Sequence, residues 1–501
     1  MTKIIPMQTL FKRPIDIVLG NLDYQVLVED LELMSEIISS SGLEAKVMSH
    51  FLNLAKERSN KELSAKKRIK AQKNALLSLY CCVLRKYLNL SYRDFALTLA
   101  AAPIYQNFCG IENFLEVRAL DFRTINKLEN TLTPELLEEL NRAVLKNFAF
   151  DSEKTSKAGF VDTIDLEHLY TDSTCMEANI HYPVDWVLFR DLIRTSMLKV
   201  EQIRELGLKV RMPYPPKEFL SEMNKLCIEM HNAYRKKDAK KIRKTTFRRM
   251  KRHLNQWMGH VKAHLAKFES ERETVSVGLA KSIAIMNCLR DILSQYKDII
   301  KIAHQRIINE KVLKAEEKIL SIYEDDVHII TKNKSGVNTE FGNTLHFMEQ
   351  VDGLVVDYHF VKDVSPGDPT LGMNSLSKLI EIFGADKIKS IVGDRGYDSE
   401  EFRNLIATIN QKYNVNIENN ILPLNPHELA KRMQDKEFKA HHKRRASTEG
   451  KVAHLKDIIG NPILQKGMRN KKLHIGISVL AHNLKRLAKM RREQIAKSEA
   501  A

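Results

Sequence analysis

Residues 390–402 read SIVGDRGYDSEEF. Ile388, Ile391 and Val392 make a short strand of the buried type, and Asp394 stands where that strand gives out. A glycine turn follows, with Gly396 supplying the reversal. A helix then starts at once: Asp398 is placed to cap it, Glu401 sits three residues on, and Phe402, Leu405, Ile406 and Ile409 share one apolar face. In α/β sheets, reactive groups sit at the carboxyl ends of strands. Asp394 is therefore a candidate functional carboxylate whose partners must come from elsewhere in the chain.

The flanking sequence extends the same pattern. GNTLHFMEQ (342–350) and GLVVDYHFVKD (353–363) read as strands joined through Val351 and Asp352 in a hairpin. A helix is predicted at about 373–384, and NVNIENNILPL supplies another short strand. Upstream, GFVDTIDLEHLYTDSTCMEANIHYP predicts a strand at 168–174 and a second extended piece at 175–182, closed by Tyr182–Pro183. Asp172 also lies near a strand end, with Asp162 and Asp165 as nearby rivals. These elements describe an α/β fold, a sheet covered by helices.

Helical texture fills the remainder. Ser91 looks like the cap of SYRDFALTL; Thr133 caps the next helix, with Pro134 in its first position and Glu135 in its first turn. Short helices joined by tight breaks fit a helix-turn-helix-like DNA-binding module or a plain bundle equally well. Residues 186–320 show no strand and read as an inserted helical subdomain, because structureless loops of that length do not occur in compact domains. The expected organisation is a helical N-terminal domain over 1–150, a sheet domain split between 151–185 and 321–470, the helical insertion over 186–320, and a basic helix over 471–501.

Charge narrows the partner class. Of 501 residues, 80 are Lys or Arg and 63 are Asp or Glu, a formal charge of +17 that suits a polyanion such as nucleic acid. RKKDAKKIRKTTFRRMKR (235–252) packs eleven Lys/Arg into eighteen residues, leaving a helix no neutral side, and predicts phosphate contacts from Lys244, Arg248 and Arg249. The six cysteines form no C-x-x-C pair, as expected of free thiols in a reducing compartment. The N-terminal segment lacks the apolar core of a signal peptide, and no apolar run approaches a membrane span, so a cytoplasmic protein is expected.

A third acid is offered by HHKRRASTEGKVAHLKD (441–457). On a helix, His442, Arg445, Glu449 and Lys456 fall on one stripe. Two strand-end carboxylates can share Mg²⁺ or Mn²⁺, which take oxygen ligands and keep sites for water and phosphate. Glu449 would join them, while Arg445 and Lys456 hold phosphate.

Asp172, Asp394 and Glu449, in strand–strand–helix order, resemble the Asp-Asp-Glu triad of bacterial insertion-sequence transposases with an RNase H-like catalytic domain. TDSTCMEANIHYPVDWVLFRD is similar to the first-aspartate block of that superfamily, and GDRGYDSEEF to the second. TEFGNTLHFMEQVDGLVVDYHF is similar to the strands between them, and LSYRDFALTLAAAPIYQNFCGIENF to the helical domain that precedes the core. The third block of many members has Tyr, Arg, Glu and Lys at the intervals found here for His442, Arg445, Glu449 and Lys456, so only the tyrosine is replaced. Some relatives carry a β insert between the second aspartate and the glutamate; here the long insert is helical and follows Asp172.

The resemblance implies an RNase H-like mixed sheet flanked by helices. It also implies two Mg²⁺ or Mn²⁺ ions on Asp172, Asp394 and Glu449, and phosphodiester hydrolysis at element ends followed by strand transfer of the 3′-OH. The partners implied are double-stranded terminal inverted repeats and target DNA, with a homodimer or higher oligomer to join two ends. Arg445, Lys456, His442 and Arg395 are its candidate DNA contacts near the triad. The alternatives are a catalytically inactive DNA-binding descendant and a metal-dependent nuclease without strand transfer. Asn179, His181 and Asp185 look family-like without a derivable role, and Trp186 and Trp257 serve either base stacking or packing.

Overall fold

The computed structural model describes residues 18–59, 62–111, 119–150, 164–331 and 339–499, with the side chains of 149–150, 446–454 and 498–499 left out. Among the described residues, seven helices come first: α1 (Leu22–Ser40), α2 (Leu43–Ser59), α3 (Ala65–Tyr87), α4 (Tyr92–Ala101), α5 (Pro103–Cys109), α6 (Phe122–Glu129) and α7 (Pro134–Phe150). Strand β1 (His168–Glu177) precedes four long helices, α8 (Asp185–Glu205), α9 (Pro216–Asn232), α10 (Ala239–Glu271) and α11 (Leu279–Ile307). Next come β2 (His328–Thr331), β3 (Thr339–Gln350), β4 (Val355–Phe360), α12 (Asp368–Phe383), β5 (Ser390–Gly393), α13 (Glu400–Tyr413) and β6 (Glu418–Ile421). Helices α14 (Pro426–Arg432), α15 (Lys436–Ile459) and α16 (Met468–Glu499) close the chain.

The protein is an α/β protein with a mixed six-stranded sheet flanked by helices, its strands in the order β2-β3-β1-β5-β6 with β4 also on β3. β1 and β5 run parallel, as do β5 and β6, whereas β3 pairs antiparallel with both β2 and β4. Several local expectations hold. The Ser91 hydroxyl accepts from the Asp94 N–H (3.2 Å) and the Thr133 hydroxyl from the Leu136 N–H (3.2 Å), so both residues cap their helices. The β3–β4 turn closes with the Gly353 N–H on the Gln350 carbonyl (2.9 Å), and Gly353 adopts φ +87°, which its missing Cβ permits.

Other expectations are corrected. β1 is one strand through Glu177 rather than two pieces, because no turn-forming residue interrupts it. α12 begins at Asp368, five residues before the expected 373, with Pro369 in its first turn, where a missing N–H costs nothing. Asp398 does not cap α13: Ser399 does, accepting from the Phe402 N–H at 3.1 Å. Asp398 is taken instead by Arg403 (2.6 Å) and the Leu424 N–H (2.7 Å).

The chain forms two compact units, Met1–Glu177 with Asn343–Ala501, and Ala178–Gly342. In the first, the N-terminal helices are not a separate body. One apolar core runs from Met34, Tyr80 and Leu140 through Leu169 and Ile391 to Leu484. Expected to be basic, α16 is a core helix over its middle: Ile475, Ile477, Val479, Leu480, Leu484 and Leu487 are all buried, since LHIGISVLAHNL carries no Lys, Arg, Asp or Glu. Its Asn483 satisfies both main-chain groups of Val355, accepting from the N–H (2.9 Å) and donating to the carbonyl (2.8 Å).

The second unit has its own core, built on α8–α11 around Phe219, Phe247, Trp257 and Phe268. The basic run forms the start of α10, which does have an apolar side: Phe247 and Met250 are fully buried. Trp257 is a packing residue whose indole N–H donates to the Ser196 hydroxyl (2.8 Å). Among the described residues, no helix is long and apolar enough to cross a membrane.

Candidate functional site

Strand register brings two of the sequence-derived acids together. β1 and β5 pair as Leu169 with Ile391 and Tyr170 with Val392. Two residues further on come Asp172, in the middle of β1 and not near its end as expected, and Asp394, just past the end of β5. The register ends at Tyr170 and Val392, and the charge of Asp394 acts on Asp172, so the two carboxylates lie near one another. Each carboxylate is held by the main chain: the Asp172 Oδ1 accepts from the Ser173 N–H (2.8 Å), and the Asp394 Oδ1 from the Gly396 N–H (2.8 Å).

A third acid, Asp368, joins them from the first position of α12. Its Oδ1 accepts from the Ser173 hydroxyl (2.6 Å). Asp368 is not among the sequence-derived candidates because a helix expected only from 373 leaves Gly367-Asp368-Pro369 in the loop before it. The available signal was the proline, which marks a helix start and makes the residue before it a helix-end carboxylate.

The electrostatics follow from this crowding. Burial lifts the Asp172 carboxyl to about 6, with the negative charges of Asp394 and Asp368 adding to the rise and the Ser173 N–H and Arg445 opposing it. Asp368 is also raised, by burial and by Asp394, against the bond from Ser173. The site therefore holds more negative charge than its surroundings neutralise.

Gly396 matters for a reason other than the one expected. Its φ is not positive, so the turn does not need glycine for backbone freedom. A Cβ there would stand 2.9 Å from the Asp368 Oδ2 and 3.0 Å from the Asp394 Oδ1, so the missing side chain lets the acids approach. Beneath the turn, Tyr397 is fully buried and bonds His346 Nδ1 (3.0 Å), whose Nε2 meets the Ser375 hydroxyl (3.1 Å). Ser375 donates to Asp357 (2.7 Å), which also takes Lys378 (2.6 Å). Tyr397 is thus a fixed floor under the site and not a surface contact.

Helix α15 carries the remaining candidates and packs on β1 and β5. The Arg444 guanidinium lies 4.9 Å from the Tyr170 ring centroid and donates to the Val351 carbonyl (3.1 Å), while the His441 ring meets His168 at 4.7 Å. One residue on, Arg445 is half-buried, and its charge reaches Asp172. His442 is buried against Phe438 (ring centroids 4.5 Å apart), and burial, then the Arg445 charge, lower its pKa to about 4. Lys456 is half-buried in the last turn. Glu449 is one turn past Arg445 on the same helix, and its side chain lies outside the described residues.

Arg395 is exposed beside Asp394. Of the rival acids, Asp165 accepts from the Glu167 N–H (2.7 Å), and Asp162 lies outside the described residues. In the second unit, Lys244 is paired with Glu310 (2.5 Å) and Arg249 with Glu229 (2.7 Å), which reduces their availability to phosphate. Arg248 is exposed, beside Lys237, Lys240 and Lys241 in a shallow depression.

Among the described residues no three His, Cys, Asp or Glu side chains form a ready-made metal cage. Comparison with family models, with curated proteins and with solved structures finds no match to this chain.

Proposed function

We propose that the protein is a DNA transposase with an RNase H-like catalytic core, cleaving phosphodiester bonds at element ends and joining the freed 3′-OH to target DNA. The observation that carries this reading is the closeness of Asp172, on β1, and Asp394, just past the end of the parallel strand β5, with Arg445 on the helix packed over these strands. The mixed sheet with helices around it supports the same fold.

The residues fit divalent metal. Carboxylates raised by burial, and further by their neighbours' charges, gain from a cation. Mg²⁺ characteristically binds through one or two carboxylates plus substrate phosphate, so a complete protein cage is not required. Asp172, Asp394 and Glu449 would hold two Mg²⁺ or Mn²⁺ ions, which when bound supply charge stabilisation to the attacking and leaving oxygens. Arg445 and Lys456 hold the phosphates, Arg445 through its planar fork. Asp368 acts as a positioning residue: it fixes the Ser173 hydroxyl while the Ser173 N–H fixes Asp172. Arg395 meets the DNA backbone from the turn, and Arg248 adds a phosphate contact from α10. Two ends are joined in one reaction, so a homodimer or higher assembly on double-stranded DNA follows.

The test is a joining assay with Mg²⁺ and duplex DNA carrying the sequences that flank the coding region. Wild type should cleave and join, and Asp394→Asn should do neither while still binding. Cleavage without joining would make the protein a nuclease; binding without cleavage by either protein would make it a DNA-binding descendant. Gly396→Ala should slow cleavage about tenfold or more by displacing the acids. Its cost to folding should stay near 1 kcal/mol, since the atoms it meets are ends of side chains. An unchanged rate would show that the close approach is unimportant.

A further inference from the structure

Within the second unit a cavity of about 700 Å³ opens beside Asp185 and Trp186 at the start of α8. Its volume lies in the range of small-ligand sites and exceeds what a single phosphate fills. Three cations bear on Asp185. Arg306 bonds it at 2.5 Å, and Lys318 and Arg243 act on it through space. Arg235 and Lys311 line the same cavity, and Asp185 is the one carboxylate in its wall among the described residues. A single negative charge leaves most of these cations unneutralised, which points to an anionic occupant.

Arg243 is arranged for such an occupant. Its guanidinium carbon lies 4.3 Å from the Tyr234 ring centroid and 5.8 Å from that of Trp186, so aromatic rings hold its position. Its Nε is shielded from solvent and has no hydrogen-bond partner. Arg243 also lines the cavity, so a guanidinium fixed in this way meets phosphate oxygens through its outer N–H groups and not through the shielded Nε. Tyr234 is 57% exposed and presents a ring to the same cavity, a surface on which a planar base stacks.

We propose that this cavity binds a nucleotide, its phosphate held by Arg243, Arg306 and Lys318 and its base stacked on the exposed Tyr234 ring, beside the buried Trp186. The nucleotide comes either free or as one residue of a single DNA strand; the chemistry of recognition is shared. This site is independent of the acid cluster and gives a role to Asp185, which orients Arg306.

The chain has two tryptophans, and Trp257 is fully buried, so a ligand-induced change in tryptophan fluorescence reports on Trp186. The full chain is titrated with a nucleoside monophosphate, a short single-stranded oligonucleotide and inorganic phosphate. Saturable quenching by the mononucleotide identifies a free ligand; quenching by the oligonucleotide alone identifies a strand; either upholds the site. Arg243→Gln, and separately Lys318→Gln on the half-exposed rim, should weaken binding about tenfold. Asp394→Asn should leave it unchanged, which separates this site from the catalytic reading. No saturable response to either nucleotide overturns the proposal. So does equal affinity in both cavity variants, or inorganic phosphate binding as tightly as the nucleotides.

Discussion

Asp172→Asn should raise the melting temperature of the metal-free protein at pH 7 and remove the further rise that Mg²⁺ gives wild type. The Asp172 carboxyl is lifted from 3.8 to about 6 by burial first and by Asp394 and Asp368 after it. A shift of about two units corresponds to roughly 3 kcal/mol, and partial solvent access reduces it to about 1–3 kcal/mol. The sign follows from linkage. Well below the unfolded value of 3.8 the group is protonated in folded and unfolded chains alike, and no penalty exists. As pH rises from about 4 to about 6 the unfolded chain ionises first, so folding stability falls, and above that the loss is complete. Asparagine carries no charge, so the variant should match wild type at about pH 3 and exceed it at pH 7. Mg²⁺ should stabilise wild type by mass action and the variant far less. Thermal melts at the two pH values, with and without Mg²⁺, check all three statements; a variant less stable than wild type at pH 7 would contradict them.

Glu129→Ala should be the most damaging single change outside the site. Glu129 is buried and accepts from Arg85 Nε (3.1 Å), from Arg85 Nη2 (2.7 and 2.8 Å) and from the Tyr92 hydroxyl (2.6 Å). The Arg85 side chain is 5% exposed, so removing its partner leaves a guanidinium buried without compensation, at a cost of about 3–5 kcal/mol. Because α3 and α6 share one core with the sheet, the loss should lower the stability of the whole first unit and not merely fray its N-terminal helices. Urea unfolding followed by circular dichroism measures it. Replacing both partners with apolar residues, Arg85→Met with Glu129→Leu, should recover much of the loss. A loss below about 1 kcal/mol for Glu129→Ala would show that the pair is hydrated.

How much of this was legible depended on which interactions are local. The strand ending at Asp394, the caps at Ser91 and Thr133 and the β3–β4 hairpin are set by residues within a few positions, and their sequence readings match the structure. Asp398 was misread because two potential caps adjoin. Ser399 takes the role while Arg403 and the Leu424 N–H, the latter distant in sequence, draw Asp398 away. The stripe on α15 was legible as a stripe, but periodicity does not say which part of it meets the protein, and His442 turned out to pack on Phe438. In α10 the charge density hid Phe247 and Met250, whose helical spacing was present in the sequence all along. Asp368 comes near Asp172 only through tertiary packing of α12, which no local pattern encodes.

Convergence of Asp172, Asp394 and Glu449 on shared divalent ions is tested most directly by exchanging Mg²⁺ for Fe²⁺ and letting peroxide generate hydroxyl radicals that cut the backbone beside the metal. Fragments mapped by mass spectrometry should end near residues 172, 394 and 449 together, and excess Mg²⁺ should suppress all three. Cuts confined to other segments, or cuts near 172 and 394 with none near 449, would contradict a common site built from these three acids.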